Sequence, residues 1–314
     1  MKTQLAPIVI FVYRREIGRL IKTLKSDPLA AQSDLIVFSD GPRDDSDAED
    51  VTRVRASLQN IDGFKSIRVV SSTHNKGLAA SIIDGVTEVI DQYGKIIVLE
   101  DDLVVSKDFL QYMNDALAYF ENDARVWSVS GYGANLPDLG QYTHDIYLAP
   151  RANSWGWATW KDRWDKTDWE VLGFDALRQD KQLQTAFNRG GNDLYRMLDL
   201  QMNGRIDSWA IRWSYSQFKY GMYTVFPVVS KVANEGFADG RGAHNNDTAA
   251  LKWHVDLRTK SSVVFEPVEV NAVVLEAFKK YYDLGPVTAV GYFLKKHGGY
   301  SIVKKCMRLL RRWR

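Results

Sequence analysis

At residues 96–102 the chain reads IIVLEDD, four apolar residues followed directly by three acids. An apolar run rich in Ile and Val predicts a strand that is buried on both faces, as in a parallel sheet. Three adjacent carboxylates repel one another, and partial burial at a strand end makes the repulsion costlier. Because hard divalent cations prefer oxygen ligands and can also hold a diphosphate, we predict a Mg²⁺ or Mn²⁺ site here. The alternative is a solvated loop or a capped helix start, since Ser106 and Asp108 stand before the next helix.

Strand and helix patterns alternate over the first 130 residues around this stretch. Apolar runs predict strands at residues 7–12, 35–38, 66–70, 96–99 and 126–129. Apolar residues that recur every three to four positions predict helices at residues 16–24, 77–90 and 107–120. Buried strands separated by helices predict an α/β fold with a mostly parallel sheet and right-handed crossovers. Beyond residue 131 the alternation weakens, and helices are predicted at residues 177–188 and 193–202.

Polar residues follow the first, second and fourth predicted strands, at the sheet edge where ligands bind in such folds. Arg14 and Arg15 follow the first strand, and Asp40 follows the second. A guanidinium can donate paired hydrogen bonds to phosphate oxygens, so Arg14 is the candidate phosphate contact and Arg15 the alternate. Asp40 could accept hydrogen bonds from the base or ribose of a nucleotide, or only cap the turn at Gly41.

A polar loop, His74-Asn75-Lys76-Gly77, stands before the predicted helix at residues 77–90. Backbone N–H groups at a helix start attract anions, so this loop and Lys76 are candidates for contact with the ribose or phosphates of a nucleotide. The alternative is ordinary capping of the helix by Asn75.

Composition is that of an ordinary globular protein. The 314 residues are 45% hydrophobic and 25% charged, and the formal net charge of +2 gives no argument for a nucleic-acid partner. Cys306 is the single cysteine, which excludes an intrachain disulfide and a cysteine-based zinc site and fits a reducing compartment. The first apolar run ends at Tyr13 with no small-residue cleavage site, which favours a strand over a signal peptide. No apolar stretch approaches the roughly 20 residues that span a bilayer, so we expect a protein that does not cross a membrane.

The second half of the chain carries a tryptophan-rich segment and a glycine-rich loop. Five tryptophans occur in residues 153–170: Trp155, Trp157, Trp160, Trp164 and Trp169. Burial in a core is the commoner use of tryptophan, but an exposed indole offers a flat face to a sugar ring. Trp155 and Trp157, on either side of Gly156, are the candidates for sugar stacking. The loop at residues 234–245 could close over a site, and His244 within it is a candidate metal ligand or diphosphate contact, or a structural hydrogen-bonding residue.

Residues 96–110, IIVLEDDLVVSKDFL, resemble the acidic-triplet segment of the N-acetylglucosaminyltransferase I type of GT-A glycosyltransferases, and bacterial sugar transferases. As in that family, a helix and Trp127-Ser128-Val129-Ser130 follow. The order of the remaining pieces is also similar, over about residues 5 to 250. These pieces are an Arg after the first strand, Asp40 after the second, Gly156-Trp157, Asp207-Ser208-Trp209, Ser230-Lys231 and a glycine-rich loop ending in His244.

The resemblance implies a role for each matching residue. Asp102 corresponds to the direct metal ligand, Asp101 to a ribose contact or metal assistant, and Glu100 to a donor-sugar contact. Asp40 corresponds to the base-recognising acid, Arg14 to the phosphate contact, and Lys76 belongs to the nucleotide-sugar site. Asp207 corresponds to the catalytic base of an inverting reaction, and Trp209 joins the candidates for acceptor or sugar stacking. The acids that precede the tryptophan in the family are displaced by one residue here, and the alternative for Asp207 is a surface ion pair with Arg205 or Arg212.

The expected function is that of an inverting, metal-dependent glycosyltransferase with a Rossmann-like GT-A fold. Residues 1–130 would form the nucleotide-sugar-binding half, residues 131–283 a joined acceptor-binding and catalytic half, and residues 284–314 a basic tail. The resemblance favours a UDP-sugar donor, with UDP-N-acetylglucosamine as the donor by analogy with the family, and a glycan or lipid-linked acceptor. Two alternatives stay open. One is a metal-dependent nucleotidyltransferase or phosphotransferase, and the other is a non-catalytic carbohydrate- or membrane-binding protein.

The C-terminal tail has a composition that favours membrane contact. From residue 284 to the end there is no acid, and eight Lys and Arg residues alternate with apolar residues that include Trp313. This pattern predicts a basic amphipathic helix that lies on an anionic membrane surface. The alternatives are a solvated tail or one that packs on the domain. Membrane contact implies a cytoplasmic protein, peripheral at the inner face of the membrane.

Overall fold

A computed structural model describes residues 4–136, 139, 142–236, 253, 255, 257 and 263–283. His244 and the tail at residues 284–314 lie outside the described residues, so the predictions for them remain predictions. Among the described residues, no helix has both the length and the apolar character needed to span a membrane.

Ten strands form two sheets within the described part of the chain. Their bounds are β1 Ile8–Val12, β2 Asp34–Ser39, β3 Ser66–Ser71, β4 Lys95–Glu100, β5 Leu103–Val105, β6 Val126–Ser130, β7 Ile146–Ala149, β8 Trp157–Trp160, β9 Tyr223–Pro227 and β10 Val232–Asn234. The large sheet has the order β3-β2-β1-β4-β8-β6-β9-β7, and β5 pairs antiparallel with β10 in a small second sheet, the β5–β10 ribbon. The first four strands in the order are parallel, while β8 and β7 run against their neighbours. The predicted α/β fold with a mostly parallel sheet is confirmed.

Helices cover both faces of the large sheet. Their bounds are α1 Gly18–Leu24, α2 Asp45–Leu58, α3 Leu78–Tyr93, α4 Phe109–Tyr119, α5 Lys161–Trp164, α6 Phe174–Gln179, α7 Lys181–Phe187, α8 Leu194–Met202, α9 Trp209–Lys219 and α10 Ala272–Tyr282. The single helix predicted at residues 177–188 is wrong, because Asp180 has an extended backbone and its side chain caps α7 by accepting from two N–H groups. Helix α2 was not among the predicted elements, although Val51, Val54 and Leu58 form its buried side.

Alternate residues of each central strand enter different cores. Ile8 and Ile10 face a core that contains apolar residues of α1, α2 and α4. Val9 and Phe11 face the opposite core, which contains α3, α9 and most of the described tryptophans. Because both faces are covered, the strands read as continuous apolar runs, which is why they could be located from sequence.

Candidate active site

A cavity of about 390 Å³ opens at the carboxyl ends of β1, β2 and β4, and we call it the strand-end cavity. It is lined by Phe11, Val12, Tyr13, Arg14, Arg15, Phe38, Asp40, Arg43, Asn75, Gly77, Leu78, Ser81, Glu100 and Asp101. Five predicted site residues therefore share one cavity: Arg14, Arg15, Asp40, Glu100 and Asp101. Parallel strands bring their carboxyl ends to the same edge, so residues far apart in sequence meet there.

The Asp40 carboxylate joins the end of β2 to the loop before α3. It accepts hydrogen bonds from the backbone N–H groups of Gly41 at 2.9 Å, Lys76 at 2.8 Å and Gly77 at 3.0 Å. A Cβ at Gly41 would lie 2.5 Å from the backbone of His74, so only glycine allows the two loops to approach this closely. The structure thus shows the turn-capping role of Asp40, and recognition of a base or ribose stays a prediction.

The Lys76 side chain points away from this arrangement. Its Nζ lies 3.0 Å from Asp84 on α3, and the residue contributes its backbone N–H to Asp40. Among the described residues, the lining of the strand-end cavity does not include Lys76. Contact between its ammonium group and a nucleotide therefore stays a prediction that requires the Asp84 pair to open.

The first two acids of the triplet face the end of β1. Glu100 pairs in register with Phe11, and Asp101 accepts a hydrogen bond from the backbone N–H of Tyr13 at 3.0 Å. Arg15 donates to the other oxygen of Asp101 at 3.2 Å. These contacts place Arg15 beside the acids. Arg15, the second candidate for a phosphate contact, therefore lines the cavity as Arg14 does.

Burial raises the pKa of both acids. Loss of solvent is the main cause of the rise in the Asp101 pKa to about 6, and the charge of Asp102 adds to it, while Tyr13 N–H and Arg15 oppose it. Burial, followed by repulsion from Asp102 and Asp101, raises the pKa of Glu100 well above its usual value. The triplet is therefore a set of poorly solvated carboxylates whose charges oppose one another, which a nearby cation would relieve.

The third acid, Asp102, is held by the β5–β10 ribbon. Asn234 donates its side-chain N–H to Asp102 Oδ2 at 3.1 Å, and the Glu235 N–H donates to the Asp102 carbonyl at 2.8 Å. A Cβ at Gly236 would lie 2.6 Å from Asp102 Oδ2. Glycine at this position lets the chain pass directly over the carboxylate.

A buried ion pair joins the segments that flank the two strands of the ribbon, and a backbone hydrogen bond links the same place to the large sheet. Lys231 is fully buried, and its Nζ lies 2.5 Å from Asp108 Oδ2, while the Ser106 hydroxyl donates to Asp108 Oδ1 at 2.6 Å. The backbone N–H of Lys231 donates to the Gly131 carbonyl at 2.8 Å, at the end of β6. In the sequence, Ser230-Lys231 matched the family pattern, but nothing there indicated that Lys231 pairs with Asp108.

The donor set around Asp102 fits a cation that is bound together with a phosphate ligand. Within the described residues, no group of three or more His, Cys, Asp or Glu side chains is arranged to hold a metal ion. Mg²⁺ and Mn²⁺ commonly take one or two carboxylates and complete their coordination with waters and substrate phosphates. Asp102 offers one half-buried carboxylate of this kind. Among the described residues, the lining of the strand-end cavity includes its neighbour Asp101 but not Asp102, so the role of Asp102 as metal ligand stays a prediction.

Asp207 lies directly before Ser208, the residue that caps α9. Its side chain is 69% exposed and lies 3.6 Å from Arg212 Nη2, which is the surface ion pair that the sequence left as an alternative. Trp209, two residues further on, packs at 5.1 Å from the ring of Trp157, which pairs with Val98 of β4. Among the described residues, the lining of the strand-end cavity does not include Asp207, so its role as catalytic base stays a prediction.

Two of the three candidate stacking residues are in the core. Trp157 is 0% exposed and Trp209 is 3% exposed, so neither offers a ring face to a sugar in this structure, and their assignment to stacking is corrected to core packing. Large apolar rings at these positions fill the space between β8, α3 and α9. Trp155 is half-buried, with its ring edge-to-face to Tyr132 at 4.8 Å and to Trp253 at 5.6 Å.

A buried acid that the sequence did not single out contacts three residues of the cavity lining. Asp47, in the first turn of α2, is 1% exposed and pairs with Arg14 and Arg43. The sequence does contain one indication of this position. Apolar residues recur at helical spacing after Asp47, which would place this acid at the start of a helix that follows β2.

Comparisons with known proteins agree with the resemblance seen in the sequence. Residues 82–182, which include the acid triplet and Gly156-Trp157, match the model of the GNT-I family. The alpha-1,3-mannosyl-glycoprotein 2-beta-N-acetylglucosaminyltransferase of Arabidopsis thaliana is 27% identical over 89 residues, which are 25% of this chain and 20% of that protein. The aligned part thus spans a fifth of the length of this curated relative. The predicted resemblance to GNT-I glycosyltransferases is confirmed over this segment.

A solved structure was also matched, at low similarity. It is the mannosyltransferase PcManGT from Pyrobaculum calidifontis in complex with GDP-Man and Mn²⁺. The match has 13% identity and a TM-score of 0.34, and covers 51% of this chain and 46% of that one. At this level the likeness carries no argument about the site.

Proposed function

We propose that the chain is a glycosyltransferase that moves a sugar from a nucleoside-diphosphate donor to a hydroxyl group of an acceptor. The observation that carries the proposal is the strand-end cavity, where Arg14, Arg15 and Asp40 meet Glu100 and Asp101, the first two acids of the triplet. The triplet lies in the segment that matches the GNT-I family. Cationic and acidic groups at one cavity suit a ligand that joins a diphosphate, a ribose and a metal ion.

The reaction assigned to this site is a single displacement with inversion. Asp207 accepts the proton of the acceptor hydroxyl as that oxygen attacks the anomeric carbon, and the bond from that carbon to the diphosphate oxygen breaks. Arg14 and Arg15 bind and orient the diphosphate through charge-assisted hydrogen bonds. Asp102 would hold a divalent ion, Mn²⁺ or Mg²⁺, which when bound neutralises charge on the departing diphosphate.

The finer assignments follow the resemblance. The donor favoured is a UDP-sugar, with N-acetylglucosamine as the sugar, and the acceptor is a glycan or a lipid-linked sugar. The basic residues at 284–314 would bring the protein to an anionic membrane at its cytoplasmic face, beside a lipid-linked acceptor. Nucleic acid is not a proposed partner.

Thermal unfolding with a panel of nucleotide sugars, with and without Mn²⁺, tests the donor site. A bound donor raises the melting temperature by mass action, and the rise should require Mn²⁺ and vanish in Asp102→Asn. Asp115→Asn, an exposed acid on α4, is the matched control and should behave as the wild type. Absence of any shift with every nucleotide sugar would contradict the proposal.

Product analysis then tests the reaction. We expect release of nucleoside diphosphate that depends on an acceptor and falls by a factor of about 10² or more in Asp207→Asn, as for a lost general base. Release of pyrophosphate would identify a nucleotidyltransferase instead. A wild-type level of turnover in Asp207→Asn would show that this residue is not the base.

A further inference from the structure

Asp47 is a buried acid whose side chain accepts hydrogen bonds from residues that line the strand-end cavity. Its side chain is 1% exposed, although it stands in the first turn of α2, where an acid is ordinarily solvated. Tyr13 donates its hydroxyl hydrogen to Asp47 Oδ2, Arg14 donates to Oδ1, and Arg43 Nε donates to Oδ2 at 2.8 Å. The hydrogen bond from Arg43, and after it the one from Tyr13, hold the pKa of Asp47 well below its usual range, so the acid is ionised at neutral pH.

The three partners of Asp47 are all lining residues of the cavity. The guanidinium carbon of Arg14 lies 5.3 Å from the centre of the Tyr13 ring, and that of Arg43 lies 5.6 Å from it. Two cations are thus held against one aromatic ring, at a distance where both gain from its π-electrons. They would repel each other without a carboxylate between them.

The exposure of the two arginines shows why such a carboxylate matters. Their side chains are 32% and 57% exposed for Arg14 and Arg43 respectively. A partly exposed arginine has many rotamers, and fixing one conformation for a ligand costs entropy at the moment of binding. Asp47 accepts hydrogen bonds from both guanidiniums, and the group of two cations and one anion has a net positive charge.

We propose that Asp47 is a positioning residue that holds Arg14 and Arg43 as a preformed pair for an anionic group of the ligand. The inference rests on the proposed function, which supplies that group as the diphosphate of a nucleotide. Asp47 does not touch the ligand and acts only through the two arginines. Their forks carry the charge and the donors that a diphosphate requires.

The test compares a ligand that has the diphosphate with one that lacks it. The dissociation constants of UDP, by calorimetry, and uridine, by ligand-observed NMR, are measured with Mn²⁺ for the wild type and for Asp47→Asn, and GDP and guanosine serve as a second pair. We expect UDP to bind about tenfold or more weakly to Asp47→Asn, about 1.4 kcal/mol, and uridine to bind within about twofold of the wild type. The control is Asp50→Asn, one turn along α2, where the acid pairs with Arg53; it should change neither constant.

The possible outcomes separate the inference from the function on which it rests. A wild type that binds neither UDP nor GDP overturns both. A wild type that binds UDP, with equal binding by Asp47→Asn, overturns the positioning role alone. Equal losses for UDP and uridine overturn it too, because they indicate a general effect on the fold. If Asp47→Asn does not fold, Arg43→Met takes its place, because the Arg43 side chain is largely exposed. Arg43→Met should bind UDP about tenfold more weakly than the wild type and bind uridine equally well. Unchanged UDP binding by Arg43→Met would contradict the proposal.

Discussion

The ion pair between Lys231 and Asp108 gives a prediction in which the two single substitutions have unequal costs. Lys231 is 0% exposed and Asp108 is 21% exposed. Asp108→Asn therefore leaves a fully buried ammonium group without a counter-ion. Lys231→Met leaves a carboxylate that water can still reach and that keeps its hydrogen bond from Ser106. Removing the acid should hence be worse than removing the base.

The magnitudes follow from what each variant leaves behind. Breaking a buried pair by removing one partner costs about 3–5 kcal/mol, and Asp108→Asn should fall in that range. Lys231→Met should cost about 1–3 kcal/mol, the usual penalty for a partly desolvated polar group that loses its partner. The double variant has no charge to bury, and replacing both members of such a pair is often close to neutral, so we expect it to be more stable than Asp108→Asn.

Urea unfolding followed by tryptophan fluorescence measures these free energies, and the two single variants with the double variant complete a double-mutant cycle. The reasoning requires a large coupling energy between the two positions. It would be refuted if Lys231→Met were as costly as Asp108→Asn, or if the costs of the single substitutions simply added in the double variant.

Three further predictions concern the acid triplet, the ribbon and the tryptophan core. In EDTA, the free energy of unfolding should fall as the pH rises from about 4 to about 6, because Asp101 loses its proton near 3.8 when unfolded and near 6 when folded. Asp101→Asn should remove up to about 3 kcal/mol of this fall in urea titrations at pH 4 and 7, and an unchanged pH profile contradicts it. In calorimetry, Gly236→Ala should bind UDP with Mn²⁺ about tenfold more weakly, because the added Cβ would lie 2.6 Å from Asp102 Oδ2. Gly18→Ala is the control and should bind UDP like the wild type, because open space surrounds that glycine. Trp157→Ala should lower the free energy of unfolding by about 3–5 kcal/mol in urea titrations, because it leaves a cavity in the core. Trp157→Phe should lower it clearly less, because the indole N–H has no acceptor among the described residues and no hydrogen bond is lost. Equal losses in the two variants would refute this account.

The central strands and one edge of the site could be predicted from the sequence for a physical reason. Strands covered on both faces must be apolar throughout, so β1, β2 and β4 stand out from the chain, and the polar residues that follow them mark the cavity. Arg14, Asp40 and the triplet were found in this way.

Other parts depend on contacts that no local pattern records. The segment at residues 157–160 carries two tryptophans, and nothing in its composition indicates that it becomes β8, an antiparallel strand between β4 and β6. The fully buried state of Trp157 follows from that position and not from the residue type. Asp47 looks like any acid at a helix start, and its burial depends on two arginines from other loops.

The place of β8 in the sheet has a consequence for how this protein can be divided or recombined. The strand that ends in the acid triplet has β1 on one side and β8 on the other, so one of its neighbours is contributed by residues more than fifty positions later in the chain. A fragment that stops at residue 130 would expose an unpaired apolar strand edge, a known template for aggregation. Exchanging the first 130 residues with those of a related protein would bring in a new β4 and triplet but leave the original β8 beside them. Chimeras of this protein should therefore keep β4 and β8 from the same parent.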